Sequence, residues 1–347
     1  MKILIIRFSS LGDIILTFPI IRAVQSATWQ KDAEIHFLTK PQFAPLFTYH
    51  PFIKKTIAYN PETESLNNLI SLLKKTHYDY VIDLHAKLNS FIVKRCIGAG
   101  KIVTYKKHHF YRWLMAHTKF GKKLSPIHST VDLYASALAK LGIPFSFDYQ
   151  LELFLPPSPE AVISKFHLPP AKLRVAIVPG AAHPTKRYPL EYYSRLIHLI
   201  RESYDAHIIL LGNSAEEKLT TRLAEGYPST EITDLAGKTD VIELACIMNT
   251  ADIVISGDCG PMHIAAALGK PQVAIFGSTH PKLGFAPLNR KAIIVQRDLP
   301  CRPCTLHGRK KCPRRHFKCM RDISPQEIME KIRVIKEDYE NRTAVME

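Results

Sequence analysis

Short, continuous apolar runs alternate with longer stretches of helical spacing along this chain. Continuous runs rich in Val and Ile are typical of parallel strands covered on both faces. They are residues 2–8, 34–39, 78–84, 101–105, 173–180, 207–212, 251–257, 271–277 and 291–296. In the intervening stretch 128–141, Val131, Tyr134 and Leu138 fall on one helical face. The alternation of strand and helix predicts an α/β fold with doubly wound parallel sheets.

A proline-rich segment divides this pattern in two. Residues 155–172 contain five prolines, and a new strand follows directly. A chain of 347 residues is long enough for two domains at about 150 residues each. We therefore predict a first domain over 1–157, a second over 158–322 and a separate C-terminal helix within 323–347.

Composition points to an anionic partner. The chain has 47 Lys and Arg against 31 Asp and Glu, a formal net charge of +16. This surplus suits nucleic acid, a phosphorylated small molecule or an acidic membrane surface, and does not choose among them. No apolar run reaches the roughly 20 residues of a membrane-spanning helix. Arg7 and Asp13 interrupt the apolar start, which is unlike a signal peptide, so a cytoplasmic location is expected.

Two polar turns follow predicted strands, where open α/β sheets bind their ligands. After the strand 2–8, Asp13 begins a helix, where it can act as a catalytic base or only stabilise the helix dipole. After the strand 173–180, Thr185 and Lys186 precede another helix. With backbone N–H groups they can cradle a diphosphate, or they can form a solvated basic loop. Neither a Walker loop nor a dinucleotide fingerprint is present.

A third turn, after the strand 251–257, carries the strongest signal. Pro261 suits the first position of a helix, and Gly260 lets a ligand approach the backbone closely. The N–H groups of Met262 and His263 then point out of the helix N-terminus, which predicts an anion site for a diphosphate. His263 can equally be a buried structural histidine.

Together these turns resemble glycosyltransferase family 9, the ADP-heptose:lipopolysaccharide heptosyltransferases, and are closest to its heptosyltransferase II type. The opening KILIIRFSSLGDIILTFPIIRAV is similar to that of the family, with Asp13 at the position of the proposed base. Lys186 lies in a Pro-Gly-Ala…Lys-Arg-Tyr-Pro stretch, whose Lys contacts the donor diphosphate in the family. The family's Asp-x-Gly-Pro-x-His signature, which AAALGKP and FGSTHP follow here, consists of Asp258, Gly260, Pro261 and His263.

The resemblance implies the GT-B fold, in which two Rossmann-like domains face each other across a cleft. The first domain, 1–157, would bind the acceptor and the second, 158–322, the nucleotide sugar. The C-terminal helix, 323–347, would pack back on the first domain.

The resemblance also implies a reaction: inverting transfer of a heptose from ADP-heptose to the inner core of a lipid A–Kdo-type lipopolysaccharide, without a cofactor. Asp13 would be the base, while Lys186, Thr185 and the amides at 260–263 would stabilise the departing diphosphate. The enzyme would be peripheral on the inner face of the inner membrane and would have no nucleic-acid partner.

Weaker family motifs indicate further site residues. On the acceptor side they are Ser10, Asp83, His85, Lys87 and Ser90. On the donor side the full set is Thr185, Glu216, Asp258, Gly260, Pro261, Met262 and His263. Glu216 can hydrogen-bond a ribose hydroxyl or lie on a helix surface. Cys259 stands where the family usually has Ser or Thr.

Four cysteines cluster near the C-terminus with the spacing C-x2-C-x7-C-x6-C. They are Cys301, Cys304, Cys312 and Cys319. In a cytosolic chain such a cluster favours metal over disulfides, and its spacing suits structural zinc or an iron–sulfur cluster. A reduced, metal-free cluster is the alternative. Similar cysteines occur in a subset of the family, which is not metal-dependent.

Some alternatives stay open at this stage. Residues 108–117, HHFYRWLMAH, can face a membrane or form a partly buried helix. The chain can be another GT-B transferase or an epimerase using a different sugar nucleotide, which donor preference would reveal. A basic nucleic-acid-binding protein is a further alternative, in which the three turns would have no role.

Overall fold

The computed structural model describes residues 1–27, 33–118, 123 and 127–344, with side chains up to residue 338 in the last helix. The chain forms two compact units. The first comprises Met1–His108 and Ile127–Pro156, and the second comprises His109–Pro126 and Pro157–Glu347. The segment 109–126 therefore belongs with the second unit, whereas the sequence analysis assigned it to the first domain.

Each unit contains one sheet in which every strand pair is parallel. The sheet orders are β3-β2-β1-β4-β5 in the first unit and β11-β10-β9-β6-β7-β8 in the second, both of the Rossmann type. The strands are β1 (Lys2–Ile6), β2 (Glu34–Thr39), β3 (Ile53–Ala58), β4 (Tyr80–Asp83), β5 (Lys101–Thr104), β6 (Leu173–Val178), β7 (Ala206–Leu210), β8 (Ile232–Asp234), β9 (Ile253–Gly257), β10 (Gln272–Phe276) and β11 (Ala292–Gln296). The α/β, doubly wound fold class is confirmed.

Helices connect the strands, as parallel pairing requires. They are α1 (Leu11–Ile15), α2 (Phe18–Ser26), α3 (Leu66–Lys74), α4 (Leu88–Cys96), α5 (His109–His117), α6 (Thr130–Ala139), α7 (Pro159–Ile163), α8 (Leu190–Ser203), α9 (Glu217–Ala224), α10 (Val241–Thr250), α11 (Gly260–Ala267), α12 (Lys318–Arg321) and α13 (Pro325–Ala344). Short 3-10 helices cover Pro41–Phe47, Ser164–Phe166, Pro184–Lys186 and Ser214–Glu216.

The apolar pattern does not predict two of the strands, for two different reasons. β3 lies at the edge of its sheet and carries the exposed Lys54 and Lys55, which break the apolar run. Charged side chains of this kind protect an edge strand from pairing with another chain. β8, at the edge of the second sheet, has only three residues, Ile232–Asp234, and is too short to register as a run.

The C-terminal helix contributes to the core of the second unit. Ile328, Met329, Ile332 and Ile335 of α13 are buried in the core of the second unit. Their apolar stripe has the spacing of one helical face, so burying it there accounts for the helix's position. The buried face of the helix is thus part of the core of the second unit, and its return to the first domain stays a prediction. Residues 345–347 of the predicted segment lie outside the described residues.

Candidate active site

Both sheets reverse their strand order beside the first strand of their unit, between β1 and β4 and between β6 and β9. In open α/β sheets, ligands bind at such switch points, beyond the carboxyl ends of the strands. The turns that meet there are residues 7–13 and 84–87 in the first unit, and 179–187 and 258–263 in the second. The three motif turns of the sequence therefore all occupy switch points.

Asp13 lies in the first turn of α1, just beyond β1. Its Oδ2 accepts hydrogen bonds from the Ser10 N–H at 3.2 Å and the Ser10 hydroxyl at 2.9 Å, and pairs with the Arg7 guanidinium at 2.5 Å. Its Oδ1 accepts only a long hydrogen bond among the described residues, from the Tyr134 hydroxyl at 3.3 Å. Oδ2 therefore stabilises the start of the helix, and Oδ1 keeps the capacity to accept a further hydrogen bond, while the role of Asp13 as a base stays a prediction.

The charge state of Asp13 is set by its neighbours. Burial acts to raise the pKa of this carboxyl, but the Arg7 guanidinium and the hydrogen bonds from Ser10 hold it below its usual value of 3.8. Burial acts to lower the pKa of Arg7, but interactions with Tyr134 and Asp13 raise it above its usual range. Asp13 is consequently an ionised carboxylate at neutral pH, the form that a general base requires.

Asp83 and Ser90 are fully buried and hold the turn after β4 together. Asp83 accepts hydrogen bonds from the N–H groups of His85 at 3.0 Å and Ala86 at 2.7 Å. Its other oxygen pairs with Lys94 at 2.7 Å and accepts from the Ser90 hydroxyl at 3.2 Å. Asp83 and Ser90 therefore use their polar atoms within the turn itself, and their role on the acceptor side stays a prediction.

The other acceptor-side residues differ in accessibility. Ser10 and Lys87 are exposed, whereas His85 is buried edge-on against Phe8, with ring centroids 5.1 Å apart. Burial, assisted by the nearby Arg7 and Lys87, lowers the pKa of His85 to about 3, so the ring is neutral. Burial and the same two cations also lower the pKa of Lys107, which sequence reasoning did not single out. This edge of the first unit is therefore markedly basic.

On the donor side, Lys186 and Asp258 form the central ion pair. Lys186 Nζ lies 2.9 Å from Asp258 Oδ2, and the Thr279 hydroxyl donates to the same oxygen at 2.7 Å. The three residues come from the turns after β6, β9 and β10, which are brought together at one sheet edge. Thr279 lies in the FGSTHP stretch and was not singled out in the sequence, but its hydrogen bond to Asp258 places it in this arrangement.

Glycines allow the Lys186 turn to lie directly on the strand ends. A Cβ placed on Gly257, at the end of β9, would be 3.0 Å from the Lys186 carbonyl oxygen. A Cβ on Gly277, after β10, would be 3.0 Å from the Thr185 carbonyl oxygen and 2.5 Å from Met320 Cε. Any larger residue at either position would push the turn away from the sheet, so these glycines fix the height of Lys186 above it.

Thr185 is buried and its hydroxyl already has partners. It donates to the Arg309 carbonyl at 3.0 Å and accepts from the Arg309 N–H at 2.8 Å and the Ser278 hydroxyl at 3.0 Å. A hydroxyl has one proton and two lone pairs, so its capacity is filled. This corrects the expectation that the Thr185 side chain contacts the diphosphate.

Glu216 is a buried acid at the same edge, not a surface helix residue. Its carboxylate accepts the Asn213 N–H at 3.0 Å within a capping box. It lies over Gly180 and Gly212, which follow β6 and β7; a Cβ on Gly180 would be only 1.9 Å from the carboxylate. The two glycines therefore leave the space that Glu216 fills.

The helix α11 supplies backbone donors beside Lys186. It begins at Gly260, so Pro261 occupies its second position, one later than the sequence predicted. Met262 and His263 are buried in its first turns. Burial raises the pKa of the preceding Cys259 to about 12, against the opposing effects of the Met262 amide and Lys186, so this thiol is neutral.

The cysteine cluster lines a pocket in the second unit together with His316, and Thr185 and Ser278 line the same pocket. Cys301 Sγ lies 3.8 Å from His316 Nε2. Burial raises the pKa of Cys304, and that of Cys319 to about 12. Within the described part of the chain, no three His, Cys, Asp or Glu side chains are arranged closely enough to hold a metal ion.

Two Rossmann-type sheets, one with a carboxylate at its switch point and the other with a lysine and a helix N-terminus, are the components of the GT-B fold, which the solved heptosyltransferase structures similar to this chain share. The family is equally clear. The model of glycosyltransferase family 9 (heptosyltransferase) matches residues 67–314, and the chain belongs to this family.

Individual relatives agree with this assignment. Lipopolysaccharide heptosyltransferase 1 of Campylobacter coli is 27% identical over 293 residues, which are 80% of this chain and 84% of that protein. Lipooligosaccharide heptosyltransferase 2 of Campylobacter jejuni subsp. jejuni serotype O:2 is 26% identical over 339 residues, 95% and 97% of the two chains. The solved structure of E. coli ADP-heptose lps heptosyltransferase II has a TM-score of 0.78 at 20% identity, covering 98% of this chain and 100% of that one.

Proposed function

We propose that the protein transfers a heptose from ADP-heptose to the inner core of a lipid A–Kdo-type lipopolysaccharide, with inversion at the anomeric carbon. The family membership supports the reaction class, and the names of the relatives support the substrates. The observation that carries the proposal is the Lys186–Asp258–Thr279 arrangement beside the N-terminus of α11, a site suited to a nucleoside diphosphate.

In this proposal Asp13 is the general base. An acceptor sugar hydroxyl donates a hydrogen bond to Oδ1, the oxygen with spare capacity, and its oxygen attacks the anomeric carbon. As the new C–O bond forms, the proton passes to Asp13 and the bond to the ADP oxygen breaks, leaving its electron pair on the diphosphate. The low pKa of Asp13 makes it a weak base, so it acts when the attacking hydroxyl has become acidic in the transition state.

Lys186 and the amides of α11 stabilise the negative charge that grows on the departing diphosphate. Lys186 would exchange its partner Asp258 for the diphosphate, while Thr279 continues to satisfy the Asp258 carboxylate. Glu216, next to the ends of β6 and β7, would accept hydrogen bonds from the ribose of ADP.

A helix face suited to a membrane surface supports peripheral association with the cytoplasmic leaflet. In α5, Arg112, Met115 and Ala116 are buried, whereas Phe110 is 75% and Trp113 is 49% exposed. Exposed aromatic side chains on a basic protein favour the interface of an anionic bilayer. No helix within the described ranges has both the length and the apolar character needed to cross a membrane.

The membrane part of the proposal has its own test. Trp113→Ser should reduce co-flotation with phosphatidylglycerol-containing vesicles several-fold, since one interfacial tryptophan is lost. Tyr49→Ser is the matched control, because Tyr49 is a similarly exposed aromatic residue, at 40%, in the first unit. Equal flotation of the two variants would remove α5 from the membrane contact.

The cysteine cluster has the donor chemistry of a structural zinc or iron–sulfur site, and its four thiols share one pocket with His316. The described side chains are not gathered around a single point, so the arrangement does not itself fit a preformed site. The proposed transfer uses no metal. Elemental analysis of purified protein decides the matter: stoichiometric zinc or iron lost in a Cys304→Ser variant would support a structural site, and metal-free active protein would exclude it.

Two measurements test the transfer itself. Binding of ADP, UDP and GDP by calorimetry should show selectivity for ADP, and ADP-heptose should label a heptose-free lipid A–Kdo acceptor. Preference for UDP or GDP would keep the fold and overturn the donor. Absence of nucleotide binding together with salt-dependent binding of RNA or DNA would overturn the transferase function.

A further inference from the structure

The N-terminal part of the cysteine-rich segment, residues 301–309, is bound to both turns of the donor site. Its first anchor is Arg302, whose buried guanidinium donates to the carbonyls of Phe276 at 3.1 Å, Thr279 at 2.8 Å and Gly277. The Cys304 N–H also donates to the Ser278 carbonyl at 3.1 Å. The turn that carries Thr279 is therefore held along its whole backbone by this segment.

A second anchor reaches the turn that carries Lys186. The Thr185 N–H and hydroxyl both donate to the Arg309 carbonyl, at 3.2 Å and 3.0 Å, and the Arg309 N–H donates back to the Thr185 hydroxyl at 2.8 Å. The Ser278 hydroxyl donates to the same Thr185 oxygen at 3.0 Å. One hydroxyl thus joins the segment to both donor-site turns, next to Lys186 in the chain.

A close backbone approach completes the contact. Gly308 has a φ of +107°, and a Cβ on it would lie 2.5 Å from His183 Cβ. Only glycine adopts this conformation without strain, and only glycine leaves the space for His183. The segment is therefore fitted to the turn at 183–186 at the backbone level.

We propose that residues 301–309 are a brace that positions Lys186 and Thr279 for the donor, with Thr185 as the positioning residue that connects them. Turns at a sheet edge are otherwise mobile, and a binding group that is already held in place loses less entropy when its ligand arrives. The brace acts through the Arg302 guanidinium, the Thr185 hydroxyl and the backbone. The identity of the ligand rests on the proposed function.

The first experiment removes the connecting hydroxyl. Thr185→Val should raise the Kd for ADP and the KM for the sugar-nucleotide donor by about tenfold, because the loss of these buried hydrogen bonds lets the Lys186 turn move. The acceptor KM should stay unchanged. Thr185→Ser restores the hydroxyl and should recover most of the affinity. Thr250→Val, which removes a half-buried hydroxyl bonded to the Ile247 carbonyl in α10, is the matched control and should bind ADP normally.

The second experiment needs no ligand. Gly308→Ala forces residues 301–309 away from His183, so amide hydrogen exchange in a peptide spanning 183–188 should accelerate relative to wild type. Normal ADP affinity in Thr185→Val, or unaltered exchange in Gly308→Ala, would overturn the brace. If wild-type protein fails to bind ADP, the proposed donor is wrong, and the exchange experiment still decides the brace. Loss of ADP binding in Lys186→Ala with full binding in Thr185→Val keeps the donor site and rejects the brace.

Discussion

Replacing Asp13 with Asn separates the two functions that the carboxylate combines. Oδ2 accepts hydrogen bonds from Ser10 and pairs with Arg7, and an amide oxygen can take over those contacts. The amide NH2 then occupies the position of Oδ1, where it can donate but cannot accept a proton. The variant therefore keeps the cap of α1 and loses the base.

The expected loss follows from the role of a general base. A positioned base contributes about 10²- to 10⁴-fold, so kcat of Asp13→Asn should fall by that factor, about 3–5 kcal/mol in activation free energy. The Kd for ADP should stay within about twofold of wild type, because the donor residues belong to the second unit. Initial-rate transfer assays at saturating substrates and calorimetric ADP titration measure both quantities.

Tyr134→Phe is the control, since it removes the 3.3 Å hydrogen bond to Oδ1 and leaves the carboxylate in place. It should lower kcat only slightly. Full activity in Asp13→Asn, or an equal loss in both variants, would refute the assignment of Asp13 as the base.

Three further predictions follow from charge and packing. Because Arg7 holds the pKa of Asp13 below 3.8, kcat should be independent of pH from pH 8 to pH 5. A fall in kcat towards acid pH within that range, caused by protonation of Asp13, would contradict this prediction. Burial lowers the pKa of His50 to about 4, so below about pH 6.5 the unfolded state binds a proton at this residue that the folded state does not. The free energy of unfolding measured in urea should therefore fall as the pH drops towards 4, and it should fall less in His50→Phe. Gly180→Ala should displace Glu216, lowering the melting temperature and ADP affinity together, whereas retained affinity would remove Glu216 from the ribose site.

The sequence predicts the fold well where side chains are buried on both faces. Apart from Lys2 and Arg174, β1 and β6 are apolar because helices cover both sides of a central parallel strand, and such runs can be recognised without knowing the neighbouring strands. The pattern misses β3, which carries Lys54 and Lys55, and β8, which has only three residues, whereas it finds the other two edge strands, β5 and β11. The contact of α13 with its own unit was also missed, since an apolar stripe shows that a helix is covered but not by what.

Some of the site residues could likewise be predicted from the sequence, and others could not. Glycine turns after buried strands locate Asp13, Lys186 and Asp258, because sheet topology alone brings such turns to one edge. Partners from distant parts of the chain, such as Thr279, are not visible before the strands are ordered. Asp83 shows the opposite limitation. Its carboxylate binds backbone N–H groups and a lysine, and the sequence alone does not distinguish such a structural carboxylate from one that binds a ligand.

The charges around Asp13 and Lys186 indicate the order of bond breaking and proton transfer in the proposed reaction. Asp13 is a weak base because Arg7 stabilises its ionised form, so it cannot remove a proton from an unactivated hydroxyl. In the proposed reaction we therefore expect bond breaking to the diphosphate to run ahead of proton transfer, with Lys186 stabilising the leaving group as Asp13 accepts the proton. Groups that act in one transition state are not additive. The double variant Asp13→Asn/Lys186→Ala should consequently lose less than the product of the two single losses in kcat.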